Sequence, residues 1–184
     1  MMRAAILATL LAAATSTSTT TTPTPTTTTA TPTPTSKPPR EVRPLPVRPV
    51  SEAGSLAREA GHGRPAVLHF WATWCEACRD EFPRIRKVLN QLPERNVGVL
   101  LVSIDRPEKL DQVRRDLRRF GVSGLPAVVL DAPDPEPVAK AVGEPAWDGT
   151  LPSTFVFDAQ GKLRKSFLGR TDPAALEQAL RAVR

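Results

Sequence analysis

The chain has 184 residues, with 25 basic and 19 acidic side chains for a formal charge of +6. Its length suits one compact domain plus extensions. Arg3, Lys37, Arg40, Arg43 and Arg48 against the single Glu41 place most of that excess before residue 51. That leaves the rest without the dense basic, aromatic-studded stripe of a nucleic-acid binder.

Met1 to Ala14 carries one early cation, Arg3, then an uncharged run ending in Ala12-Ala13-Ala14. This is the pattern of a short secretory signal peptide, residues 1–14, too short to span a bilayer. From Thr15 the chain is almost wholly Thr, Ser and Pro to Ser36, and it stays proline-rich to Pro49. Such composition cannot bury enough apolar surface to order itself, so residues 15–50 are expected to be a disordered, semi-rigid spacer. The folded domain is expected over residues 51–184.

Ser51 to Gly61 reads as a short helix with a serine cap and a glycine stop. Pro65 to Trp71 is an apolar run of strand length, and Glu76 to Leu92 spaces Phe82, Ile85, Leu89 and Leu92 as an amphipathic helix, with Pro83 expected to kink it. Val97 to Ile104 is a continuous apolar strand of the kind covered on both faces. Pro107 to Phe120 is a helix with Leu110, Val113, Leu117 and Phe120 on its buried stripe, its arginines 114, 115, 118 and 119 forming a solvated face. Leu125 to Leu130 is a further strand, with a short helix near Val138 to Val142. Ser153 to Phe157 and Leu163 to Leu168 flank the turn Asp158-Ala159-Gln160-Gly161, and Asp172-Pro173 opens a last helix. Strands alternating with helices, then a hairpin and a helix, imply an α/β fold: a mixed central sheet with helices on both faces.

Cys75 and Cys78 are the only cysteines, three apart, directly after a strand and opening a helix. Unpaired amides and the helix dipole favour an anion there, and the thiolate is the reactive form of cysteine. The arrangement points to two-step thiol–disulfide exchange, Cys75 as nucleophile and Cys78 as resolving cysteine. Three bland readings compete. A structural disulfide closing so short a loop stabilises weakly, a zinc site would have only His62 and His69 as further nitrogen donors, and the third is an inert buried pair.

The segment Phe70-Trp71-Ala72-Thr73-Trp74-Cys75-Glu76-Ala77-Cys78-Arg79-Asp80-Glu81-Phe82-Pro83 resembles the TlpA/ResA-like branch of extracytoplasmic thioredoxins. So does Gly149-Thr150-Leu151-Pro152-Ser153-Thr154-Phe155-Val156-Phe157-Asp158, which is similar to that family's cis-proline loop and following strand. The resemblance implies a thioredoxin fold and a periplasmic or otherwise extracytoplasmic dithiol oxidoreductase. It implies a reductant of the cytochrome c maturation type, with protein thiols or disulfides as substrates and a membrane thiol-electron transporter as electron source. It further implies no cofactor beyond the Cys75–Cys78 disulfide, no metal, no nucleic acid, and a monomer. By the same resemblance Pro152 is the cis-proline facing the cysteines, and Leu151 with it pairs an incoming peptide. Trp74 packs beside the reactive sulfur, and Glu81 is a proton acceptor that tunes the pair, its other reading being a solvated helix residue.

The departures are Glu76-Ala77 between the cysteines, where Pro is frequent, and His69, where thioredoxins carry a buried Asp. Glu76 is expected to oppose thiolate formation slightly. His69 reads either as a proton-exchanging neighbour of Cys78 or as a satisfied core histidine, and Trp147 either as a binding aromatic or as a packed one. Other functions also remain open: copper handling, argued against by the CxxC spacing, and a redox-inactive binding module. A thiol peroxidase would want Thr and Pro where the chain has Ala72 and Leu68.

Overall fold

The computed structural model describes residues 44–183. The signal-peptide and most of the spacer expectations fall on residues 1–43, outside the described part. The spacer does not extend to residue 50 as expected. Val47–Pro49 forms a short strand, β1, and Leu45 just before it is buried. A proline-rich strand is tolerated here because β1 lies at the edge of the sheet, where one side of its backbone needs no partner. The Pro46 carbonyl just before it accepts the Val129 amide at 2.9 Å.

The remaining elements follow in order: α1 (Leu56–Gly61), β2 (Ala66–Trp71), α2 (Glu76–Gln91), β3 (Gly98–Ser103), α3 (Leu110–Arg119), β4 (Ala127–Asp131), α4 (Pro135–Val142), β5 (Ser153–Phe157), β6 (Leu163–Leu168) and α5 (Pro173–Ala182). The strands form one six-stranded sheet in the order β1-β4-β3-β2-β5-β6. β1, β4, β3 and β2 run parallel, and β5 and β6 are antiparallel additions.

Strand periodicity divides the core in two. On one face Val67, Trp71, Val99, Leu101, Val129 and Val156 pack with α2, α3 and α5, through Phe82, Ile85, Val113, Leu117, Leu176 and Leu180. On the other, Leu68, Phe70, Leu100, Val102, Val128 and Phe155 pack with α1 and α4, through Leu56, Ala57, Val138 and Val142. This is the expected mixed sheet with helices on both faces.

Local details differ from the sequence reading at two helices. The first helix begins as a 3-10 turn at Val50 with no side-chain cap, so Ser51 caps nothing, and its left-handed terminator is His62 rather than a glycine. Pro83 lies inside α2, which is continuous through it. α4 starts at Pro135, because Asp134 caps it by accepting the Glu136 amide and proline suits the first turn.

Candidate active site

β2 ends at Trp71 and α2 begins at Glu76, so the turn between them delivers Cys75 as the residue that caps the helix. Its Sγ takes the capping role, accepting the Cys78 amide at 3.0 Å, and the two sulfurs are joined in a disulfide. An amide aimed at sulfur together with the positive end of a sixteen-residue helix stabilises a thiolate at Cys75. Cys75 is 6% exposed and Cys78 wholly buried, which makes Cys75 the sulfur a substrate can reach.

The turn is pinned from a neighbouring strand. Asp105, just past β3 and buried, accepts the Thr73 amide at 2.8 Å, the Thr73 hydroxyl at 2.6 Å and the Ser103 hydroxyl at 2.7 Å. Nothing in the sequence motif marks Asp105; its contact crosses 32 residues, and only the pairing of β2 with β3 brings it there. Trp74, next in the turn, stands out at 65% exposure.

The Leu151–Pro152 peptide bond is cis, as the motif resemblance implied. Phe70 pairs with Ser153 across β2 and β5, so Pro152 comes abreast of Trp71 at the end of the sheet that bears the cysteines. Leu151 is half-buried against the cluster that contains Cys75 and Cys78. Glu76 is the exposed first residue of α2.

Glu81 is not the solvated helix residue of the alternative reading: it lies one turn beyond Cys78 and is 1% exposed. Burial pushes its pKa up, against the Thr171 hydrogen bonds that pull it down. His69 is wholly buried on β2, and burial lowers its pKa to about 3. Its Nε2 stands 3.7 Å from Glu81 Oε2.

Trp147 is a packed aromatic. It is 3% exposed, edge-on to Phe70 and Phe155, and its indole N–H donates to the Thr150 carbonyl at 2.8 Å. It also lines, with Trp74, an open cleft of about 910 Å³. Pro107 and Pro133, from the loops after β3 and β4, and Asp131 at the end of β4 also line it. Among the described residues no three or more His, Cys, Asp or Glu side chains are grouped as a metal site would need. No helix among them is long and apolar enough to cross a membrane.

The model of the AhpC/TSA family matches residues 50–166. The chain is similar to the thiol-disulfide oxidoreductase ResA of Geobacillus thermodenitrificans, with 32% identity over 122 residues, 66% of this chain and 64% of that protein. It is also similar to the sporulation thiol-disulfide oxidoreductase A of Bacillus subtilis, 27% identical over 63% of this chain and 64% of that protein. The match thus spans 64% of the length of each relative, under two thirds. A solved DsbF homologue from Corynebacterium diphtheriae superposes with a TM-score of 0.54 at 20% identity, over 65% of this chain and 72% of that one. That likeness establishes the thioredoxin fold, and the ResA match agrees with the TlpA/ResA-like branch that the two motifs resemble.

Proposed function

Because the chain belongs to the AhpC/TSA family, we propose that it is a thiol–disulfide oxidoreductase working through Cys75 and Cys78 on protein substrates outside the cytoplasm. The observation that carries this is the Cys75 sulfur itself, capping α2, accepting the Cys78 amide, and partly open where Cys78 is closed.

In the reducing direction the Cys75 thiolate attacks one sulfur of a substrate disulfide. The substrate S–S bond breaks, a mixed disulfide forms, and the departing substrate thiolate takes a proton. Cys78, losing its proton to solvent, then attacks Cys75 Sγ. That closes the Cys75–Cys78 disulfide and expels the second substrate sulfur, which is protonated in turn. Two electrons pass from the protein dithiol to the substrate.

Exposed Trp74, half-buried Leu151 and cis Pro152 would be the surfaces beside the sulfur on which an extended substrate segment lies. The exposed Glu76 carboxylate, beside Cys75, would weigh slightly against its thiolate. Likeness to ResA favours the reducing direction. In that reading a membrane thiol-electron transporter recharges the disulfide, and apocytochrome c cysteines are the kind of substrate served. The protein would act as an exported monomer, tethered through its Thr/Pro-rich segment, with no cofactor besides its own disulfide.

The test is insulin reduction by purified variants. Cys75→Ser should abolish turnover, and Cys78→Ser should accumulate mixed disulfides with substrate. Full activity in Cys75→Ser would defeat the mechanism.

A further inference from the structure

Four side chains from four segments form a nearly closed ring that includes Glu81, one turn beyond Cys78. His69 on β2 and Thr154 on β5 are cross-strand partners, and the imidazole Nδ1 lies 3.0 Å from the Thr154 hydroxyl. That hydroxyl lies 2.7 Å from the hydroxyl of Thr171, in the loop before α5. The Thr171 amide donates to Glu81 Oε1 on α2, and its hydroxyl faces the same carboxyl. The remaining link is His69 Nε2 to Glu81 Oε2 at 3.7 Å, and both of these atoms are buried without another partner. None of the four residues exceeds 4% exposure.

A buried polar atom left unpaired costs about 1–3 kcal/mol. Here two such atoms face each other, and one proton satisfies both. Two arrangements supply it. An imidazolium beside a carboxylate would bury two full charges with few further hydrogen bonds, the costly option in so dry a site. A carboxylic acid donating from Oε2 to a neutral Nε2 buries none. It also fixes the rest of the ring: Nδ1–H donates to Thr154, Thr154 donates to Thr171, and the Thr171 hydroxyl donates to the carboxyl. An O–H···N bond is roughly 2.7–3.0 Å long, so a shift of about 1 Å or less closes the link. Burial favours the neutral form of both partners, lowering the His69 pKa to about 3 and raising that of Glu81.

We propose that His69, Thr154 and Thr171 are positioning residues that hold Glu81 as a neutral, proton-bearing acid, so that no negative charge opposes thiolate formation at the dithiol. This rests on the thiol–disulfide reading of the site and adds to it the reason the nearby carboxyl does not ionise first. The other charged or titratable groups facing the ring are few. Cys78 on α2 and Cys75 at its cap lie three and six residues before Glu81. Arg170, from the loop after β6, favours an ionised Glu81 but is itself engaged by Asp80 of α2 at 2.9 Å. Asp172 caps α5 beyond Thr171 through the Ala175 amide.

The test is the pH profile of iodoacetamide alkylation at Cys75 in the reduced full chain, for the wild type, His69→Asn and His69→Asn/Glu81→Gln. Without the imidazole acceptor Glu81 ionises more readily, and its charge should move the Cys75 midpoint up by about one unit. Glu81→Gln restores a neutral side chain of the same shape, so the double variant should return to the wild-type midpoint. An unshifted His69→Asn, or a double variant that stays shifted, overturns the proposal. If His69→Asn fails to fold, the ¹⁵N shifts of the wild-type imidazole decide: the ring requires a neutral Nδ1–H tautomer from pH 5 to 9, and an imidazolium contradicts it. Alkylation needs no substrate. A protein that shows the expected profile yet reduces no protein disulfide would therefore condemn the oxidoreductase reading and leave the ring standing.

Discussion

His69 places an imidazole wholly inside the sheet–helix core, and burial lowers its pKa to about 3 from the ordinary 6.5. Above pH 6.5 the histidine is neutral in both folded and unfolded chains, and its contribution to stability is intact. Below that, the unfolded chain takes up a proton that the folded one refuses, so stability falls until the pH approaches 3. Glu81 is shifted upward and has the opposite slope: the unfolded chain releases its proton first, so its contribution declines as pH rises above about 4.5. Comparing Glu81→Gln with His69→Phe/Glu81→Gln isolates the histidine's share. Urea unfolding at pH 7 and at pH 4.5 should show Glu81→Gln losing about 2–3 kcal/mol more than the double variant; equal losses would contradict the neutral buried imidazole. The two cysteines were legible because their chemistry depends on spacing within one short segment. His69 stayed ambiguous because its partner Thr154 reaches it only through strand pairing, and Thr171, which bonds Thr154, comes from a distant loop. The buried state of Glu81 was likewise invisible on a helix whose outer face carries other charges.

Local pattern located β5 and β6 to the residue and β2, α2 and β3 to within a residue or so, because alternation, helical spacing and turn residues agree there. It failed where tertiary pairing overrides composition. β1 looks like spacer from its prolines, yet Val47 pairs with Val129 and completes the sheet edge. The clamp from β3 to the turn before α2 is another such case. The Asp105 carboxylate accepts three hydrogen bonds, two from Thr73, and so fixes the backbone two residues before Cys75. Asp105→Asn keeps the shape but turns one oxygen into a donor that faces donors. It should cost about 1–3 kcal/mol of unfolding free energy. A loss below about 0.5 kcal/mol in denaturant titration would mean that the turn is held by its own packing instead.

At the scale of the molecule the topology gathers the chemistry at one end. β2, β3 and β4 run parallel, so the Cys75 turn, Asp105 and the cleft walls all follow their carboxyl ends, the usual location for sites in such sheets. β5 runs the other way and therefore begins, rather than ends, beside them, which is how cis Pro152 arrives at the same place from a motif some 75 residues later. The sequence motifs named these parts separately; the strand order explains why they meet. The reduction potential of the Cys75–Cys78 pair, titrated against dithiothreitol or glutathione buffers, tests the reading of this assembly as a reductant most directly. A single two-electron transition near or below the thioredoxin value of about −270 mV is expected. A potential near the strongly oxidising value of about −120 mV, or no reversible two-electron transition at all, would contradict it.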